Sequence, residues 1–285
     1  MLFGQNCNRN SAYAEPSKTF RFIKKGMVIF MNISVITGAS SGLGREFAVQ
    51  LDGYGLDELW LIARREDRLN ELKEKLNTKV RIITIDLFND SWRAELKIIL
   101  EQEKPVVRYL INSAGIGIYG RYDEISEADN DKMIDLNIKA LVAMTVIILP
   151  YMNKGSHILE IASCAGFVPV PFENVYAATK AFVISYSRAL KYELNSKGIS
   201  VTAICPGKID TEFFEHTGNA KHKPEKKGYI VSAKAVVRHT LKTACRGKQT
   251  TVYGMPIKLY QYIGKFLSHD LIIKFMTKFN REIMK

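Results

Sequence analysis

Three residues in the second half of the chain carry the strongest chemical signal. Ser163 is followed thirteen positions later by Tyr176, and Lys180 comes four residues after that, within Val175-Tyr176-Ala177-Ala178-Thr179-Lys180. Residues four apart share one face of a helix, so the Lys180 ammonium should stand beside the Tyr176 phenol. A neighbouring positive charge favours phenolate and is expected to lower the tyrosine pKa from about 10 toward the working range. A phenol tuned in this way can act as a general acid or base. A lone YxxxK pair also arises in ordinary amphipathic helices, so the surrounding elements have to support the assignment.

From Asn32 onward, short β-branched runs alternate with amphipathic stretches. Strands are expected at 33–37, 59–63, 80–86, 106–112, 157–162, 200–205 and 250–253. Helices are expected near 43–54, 65–77, 91–103, 127–153, 174–197 and 232–246. This alternation predicts an α/β fold, a single Rossmann-type doubly wound parallel sheet of about seven strands with helices on both faces. Ligands of such sheets sit beyond the carboxyl ends of the strands. Ser163 directly follows the fifth predicted strand.

The first strand runs into Thr37-Gly38-Ala39-Ser40-Ser41-Gly42-Leu43-Gly44, where a helix opens. Glycines at this spacing allow a tight turn whose backbone N–H groups can approach a pyrophosphate. Thr37, Gly38, Ser40, Ser41, Gly42, Leu43 and Gly44 are therefore candidate dinucleotide contacts. The second strand ends at Ala63-Arg64-Arg65, with no carboxylate where an NAD ribose would need one. A guanidinium fork suits a 2′-phosphate, which points to NADP(H) in preference to NAD(H), with Arg64 favoured over Arg65. Alternatively, both arginines open a solvated helix. Asp86, after the third strand, either bonds an adenine amino group or caps a turn.

Taken together, these segments resemble the short-chain dehydrogenase/reductase family over residues 31–253. Thr37, Gly38, Gly42 and Gly44 fit TGxxxGxG, Tyr176 and Lys180 fit YxxxK, and Ser163 fits the serine before it. Asn137 fits the family's helical asparagine, and Pro206-Gly207 with Thr211 fits PGxxxT. Asn112-Ser113-Ala114-Gly115 departs from NNAG only at Ser113, so Asn112, Ala114 and Gly115 are carried over as cofactor contacts. The resemblance implies that Tyr176 protonates a carbonyl oxygen during hydride transfer, with the positive nicotinamide ring helping to lower its pKa. It implies that Ser163 polarises that oxygen, Lys180 binds the nicotinamide ribose, and Asn137 supports a proton-relaying water. Ile209 and Thr211 are expected at the carboxamide end, and Pro206 and Gly207 are carried over as further cofactor contacts. The implied activity is NADP(H)-dependent interconversion of a carbonyl and a secondary alcohol. A cofactor-sensing protein without turnover is the alternative.

The net charge of +12 is confined to appendages. Residues 1–30 carry +4, residues 221–229 carry +3 and residues 254–285 carry +4, so the remainder is nearly neutral. These charges lack a nucleic-acid-binding module, and no nucleic acid partner is expected. Cys7, Cys164, Cys205 and Cys245 are scattered without ligand spacing, which predicts reduced thiols, no metal and a cytoplasmic location. No apolar run reaches the roughly 18 residues of a spanning helix, and no signal-peptide layout is present. Met31 directly precedes the first strand, so residues 1–30 are expected to be an irregular extension, with Met27 or Met31 as the native start. Phe213 and Phe214 open a lid-like segment over 209–230, and Pro169–Phe172 supplies another wall, which together suggest a hydrophobic or acyl-bearing substrate. Residues 254–285 form a basic amphipathic helical extension. Its apolar stripe (Leu259, Ile263, Phe266, Leu267, Leu271, Phe275, Phe279, Ile283) is expected to pack on its own domain or on a partner subunit of a dimer or tetramer, or to lie on an anionic membrane.

Overall fold

A computed structural model describes residues 31–215 and 229–279. Its centre is a seven-stranded parallel sheet in the order β3-β2-β1-β4-β5-β6-β9. The strands are β1 (Asn32–Thr37), β2 (Glu58–Ala63), β3 (Lys79–Thr84), β4 (Val106–Asn112), β5 (His157–Ile161), β6 (Ser200–Ile204) and the two-residue β9 (Thr250–Thr251). A separate small pair joins β7 (Lys208–Ile209) to β8 (Ile230–Val231). Crossovers are made by α1 (Gly42–Leu51), α2 (Glu66–Lys73), α3 (Trp92–Glu103), α4 (Glu127–Ile134) continuing into α5 (Leu141–Ile148), α6 (Asn174–Leu194) and α7 (Ala233–Ala244). The expected doubly wound architecture is present. Element ends move by a few residues, and β9 is two residues shorter than predicted.

Both faces of the sheet are covered, so the central strands are apolar almost throughout. Successive side chains of one strand enter different layers. Ile33, Val35, Trp60 and Ile62 join a core with Trp92, Leu96, Met144 and Ile148. Ile36, Leu59 and Leu61 join the opposite core with Phe47, Leu69 and Val237. Each such side chain, fully removed from water, contributes about 2 kcal/mol of transfer free energy.

The chain order along the sheet reverses at β1, which pairs with β2 on one side and β4 on the other. A crevice opens at such a switch point, outside the carboxyl ends of the strands. Gly38 sits there with φ +65°, and a Cβ on it would lie 2.9 Å from the Ala114 backbone nitrogen. At Gly44 a Cβ would lie 2.4 Å from the Gly38 carbonyl oxygen. Both contacts are backbone against side chain with no room to retreat, so glycine is what lets α1 close on the turn and β4 approach it.

The helix from Glu127 to Tyr151 is continuous, and its middle, Asp135–Ala140, is π-helical. It holds an 18-residue window of mean hydropathy 1.8, long and apolar enough to cross a membrane by composition. This corrects the expectation that no such stretch exists. Its length arises because α4, the π segment and α5 fuse without a break, and its buried face (Met133, Leu136, Ala140, Leu141, Met144, Ile148) belongs to the protein core. The C-terminal extension forms α8 (Met255–Phe266) and α9 (His269–Phe279). Residues 1–30, Ile283 and most of the 209–230 segment, for which the sequence raises expectations, lie outside the described residues, as do the side chains of Phe214 and Phe279.

Candidate active site

One cleft of about 550 Å³ runs along the carboxyl ends of the strands. Gly38, Ser40, Ser41, Gly42, Leu43, Arg64, Arg65, Asp86, Ala114 and Gly115 line one end. Ser163, Tyr176, Lys180, Pro206, Gly207, Ile209 and Thr211 line the other. Thr37, Gly44, Asn112 and Asn137 stand behind the wall rather than in it. The Thr37 hydroxyl accepts from the Ser113 and Ala114 N–H groups at 3.0 and 3.1 Å, locking β1 to the turn after β4. The Asn112 amide donates to Thr145 at 2.8 Å, beneath the sheet.

Asn137 is fully buried, and the π segment turns it toward the strand ends. Wide π turns are typical of functional sites. Its Oδ1 accepts from the Ile116 N–H at 2.9 Å and its Nδ2 donates to the Ile116 carbonyl at 2.8 Å. It therefore clamps the backbone of the cleft floor. A Cβ placed on Gly115 would come within 3.0 Å of Asn137 Oδ1 and 3.4 Å of Lys180 Nζ, so these two polar groups meet over that glycine.

Helix α6 carries Tyr176 and Lys180 one turn apart, and both are buried. Lys180 Nζ lies 5.7 Å from the Tyr176 ring centroid and donates to the Ile161 carbonyl at 2.9 Å. Burial lowers its pKa to about 8, while Cys205 and Glu160 pull it back up. Ser163 caps the turn after β5 by accepting from the Ala165 N–H at 3.2 Å, and it is hydrogen-bonded to Tyr176.

The expected depression of the Tyr176 pKa is overturned. Burial pushes the phenol above its ordinary value, and hydrogen bonds from Ser163 and Tyr119 offset only part of that rise. The physical reason is distance and desolvation: the ammonium faces a backbone carbonyl, and the low-dielectric surroundings penalise phenolate.

Two residues beside Tyr176 carry no motif. Tyr119 is buried, its ring centroid 5.6 Å from that of Tyr176, and the two phenols are hydrogen-bonded. Glu173, one turn before Tyr176, lines the cleft, and burial lifts its carboxyl to about 7 against the pull of Lys208. Only the position of Glu173 just before the YxxxK helix could have flagged it. Phe213 closes the same end, 6.0 Å from the Tyr176 ring.

At the opposite end, Arg65 is the arginine that reaches across the cleft. It donates to Ser41 Oγ at 2.9 Å and Ser40 Oγ at 3.2 Å, and pairs with Glu212 at 3.3 Å. Arg64 instead lies over the Phe88 ring at 5.7 Å. Arg64, which the sequence favours, lines the same cleft, and the chain turns between the two residues so that Arg65 meets the glycine turn. Asp86 accepts from the Phe88 N–H at 3.1 Å, so it caps a turn while facing the cleft.

A glycine turn at a helix N-terminus, a serine and arginine cluster and a buried Ser-Tyr-Lys set share one cleft, an arrangement that suits a dinucleotide-dependent oxidoreductase. Residues 32–222 match the short chain dehydrogenase family, and the chain belongs to it. It is 32% identical over 261 residues to a very-long-chain 3-oxoacyl-CoA reductase of Rattus norvegicus, covering 88% of this chain and 80% of that one. It is 38% identical over 188 residues to sulfoacetaldehyde reductase 2 of Chromohalobacter salexigens, covering 64% of this chain and 74% of the relative. The solved short-chain dehydrogenase from Sphingobium yanoikuyae in complex with NADPH superposes with a TM-score of 0.70 at 27% identity, covering 83% of this chain and 93% of that one.

Proposed function

We propose that this chain is an NADPH-dependent reductase that converts a carbonyl on an apolar or acyl-bearing substrate to a secondary alcohol. The observation that carries the proposal is the presence of Ser163, Tyr176 and Lys180 in the same cleft as the glycine turn and Arg65. The residues fit a dinucleotide: the cradle at Gly38 and Gly115 leaves no room for a Cβ, and Ser40, Ser41 and Arg65 gather donors where a 2′-phosphate would lie. A nicotinamide, when bound, supplies the hydride. Tyr176 donates its proton to the carbonyl oxygen. Ser163 donates a hydrogen bond to the same oxygen as charge builds there. Lys180, titrating near 8, stands next in line to restore the proton, held over Gly115 with Asn137.

Arg65 over Arg64, and NADPH over NADH, follow from the serine cluster. Tyr119, Ile116 and Phe213 make the substrate end apolar. The long-chain acyl thioester class named for the rat relative suits this lining better than a sulfonate. A cytoplasmic, homo-oligomeric enzyme belongs to the same proposal. In Tyr176→Phe, turnover should fall about 10²- to 10⁴-fold while NADPH still binds. A variant that kept its turnover would sink the assignment.

A further inference from the structure

Helix α8 has two apolar faces, and among the described residues one of them packs on the fold. On the inner face, Tyr260 meets Phe167 with ring centroids 6.4 Å apart, Ile257 packs on Gly207, and Gly264 admits Val168. This face covers the turn after Ser163, whose Cys164 and Ala165 line the cleft. On the outer face stand Met255, Leu259, Tyr262 and Phe266, each between 59% and 74% exposed. At 3.6 residues per turn, these four fall within an arc of about 60°. Leu267 and Leu271, also exposed, continue the patch toward α9. A contiguous exposed stripe of this kind marks a contact surface.

Charge identifies what covers it. Lys258 and Lys265 flank one side of the stripe, and Lys265 Nζ lies 5.5 Å from the centre of the Phe266 ring. Over Met255–Phe279 there are four lysines against the single acid Asp270. A two-fold dimer with its α8 helices antiparallel across this face would bring the two lysine edges together. An anionic lipid surface meets the same pattern favourably, with apolar side chains inserted and lysines at the headgroups.

We propose that α8 and α9 dock this protein on an anionic bilayer through the Met255, Leu259, Tyr262 and Phe266 stripe. The turn beneath α8 borders the cleft, so docking there brings the cleft close to the membrane, the source from which a long-chain carbonyl substrate can enter. That entry route rests on the proposed reductase function, whereas the docking does not.

The test is flotation of the full-length chain with vesicles of phosphatidylglycerol mixed with phosphatidylcholine, and with pure phosphatidylcholine, without substrate or cofactor. Binding should require phosphatidylglycerol and weaken with salt. Lys258→Glu/Lys265→Glu should reduce it at least about tenfold, and Met255→Ser/Phe266→Ser should abolish it. All four residues are exposed, so an unchanged thermal midpoint verifies that each variant is folded. Failure of the wild-type chain to float overturns the proposal, as does flotation that both variants retain. Self-association lost in Met255→Ser/Phe266→Ser, without vesicle binding, overturns it in favour of a second copy. Because no turnover is measured, failure here is distinguishable from failure of the reductase assignment.

Discussion

Replacing Glu160 by glutamine should remove a pH dependence of stability that the sheet itself creates. Glu160 lies on β5 directly opposite Asn112 of β4, and its side chain is inaccessible to water. Its Oε1 accepts from the Thr145 hydroxyl at 3.0 Å, but Oε2 and the Asn112 Oδ1 are both buried acceptors without a donor. One proton on Oε2 would give both a partner. Burial raises this carboxyl from 4.5 to about 7, and interactions with Asn112, Thr145 and Lys180 offset only part of the rise. A group whose folded pKa is raised stabilises the fold fully below its unfolded value. That contribution is then lost as the pH climbs through the folded value.

The shift corresponds to about 3 kcal/mol, most of it lost between roughly pH 5 and pH 8. Glutamine keeps the shape, donates to Asn112 Oδ1 and does not titrate. Urea unfolding of both proteins across that range should show the variant gaining about 2.5 kcal/mol on the wild type as the pH rises. His157, held down to about 4 by burial, titrates in both proteins and cancels in the difference. A difference that stays constant across the range would refute the proposed buried, shared proton.

Gly44→Ala forces a Cβ against the Gly38 carbonyl oxygen, which neither backbone can avoid. It should cost about 2 kcal/mol, seen as a thermal midpoint at least about 5 °C lower, and an unchanged midpoint would contradict it. Arg65→Ala removes the donor that joins Ser40 and Ser41, so NADPH affinity should fall about 10- to 100-fold with NADH little changed. Equal losses for both dinucleotides in a titration would count against a 2′-phosphate site there. Tyr119→Phe deletes a hydrogen bond that lowers the Tyr176 pKa. In the alcohol-oxidation direction, the pH profile of kcat should move alkaline by up to about one unit, and a profile that stays in place would remove Tyr119 from the site.

The sequence by itself determined the elements and the order of the motifs, because both are written in short-range patterns. Runs such as Ile33–Thr37 and Leu59–Ala63 are strands through local preference, and Gly38 to Gly44 form a turn through local backbone sterics. The same locality puts Tyr176 and Lys180 one turn apart on α6. Tertiary structure decided what depends on surroundings. It sent Thr37, Gly44 and Asn112 behind the cleft wall, bonded Arg65 to the serines of the glycine turn while laying Arg64 over Phe88, and brought Tyr119 from a distant loop onto Tyr176. It also reversed the expected direction of the tyrosine pKa, since desolvation depends on everything packed around a group and not on its neighbour in sequence. The C-terminal stripe shows the same division. Its helical spacing was legible, but which face of α8 meets protein and which meets solvent was fixed only when the chain folded back over Phe167 and Gly207.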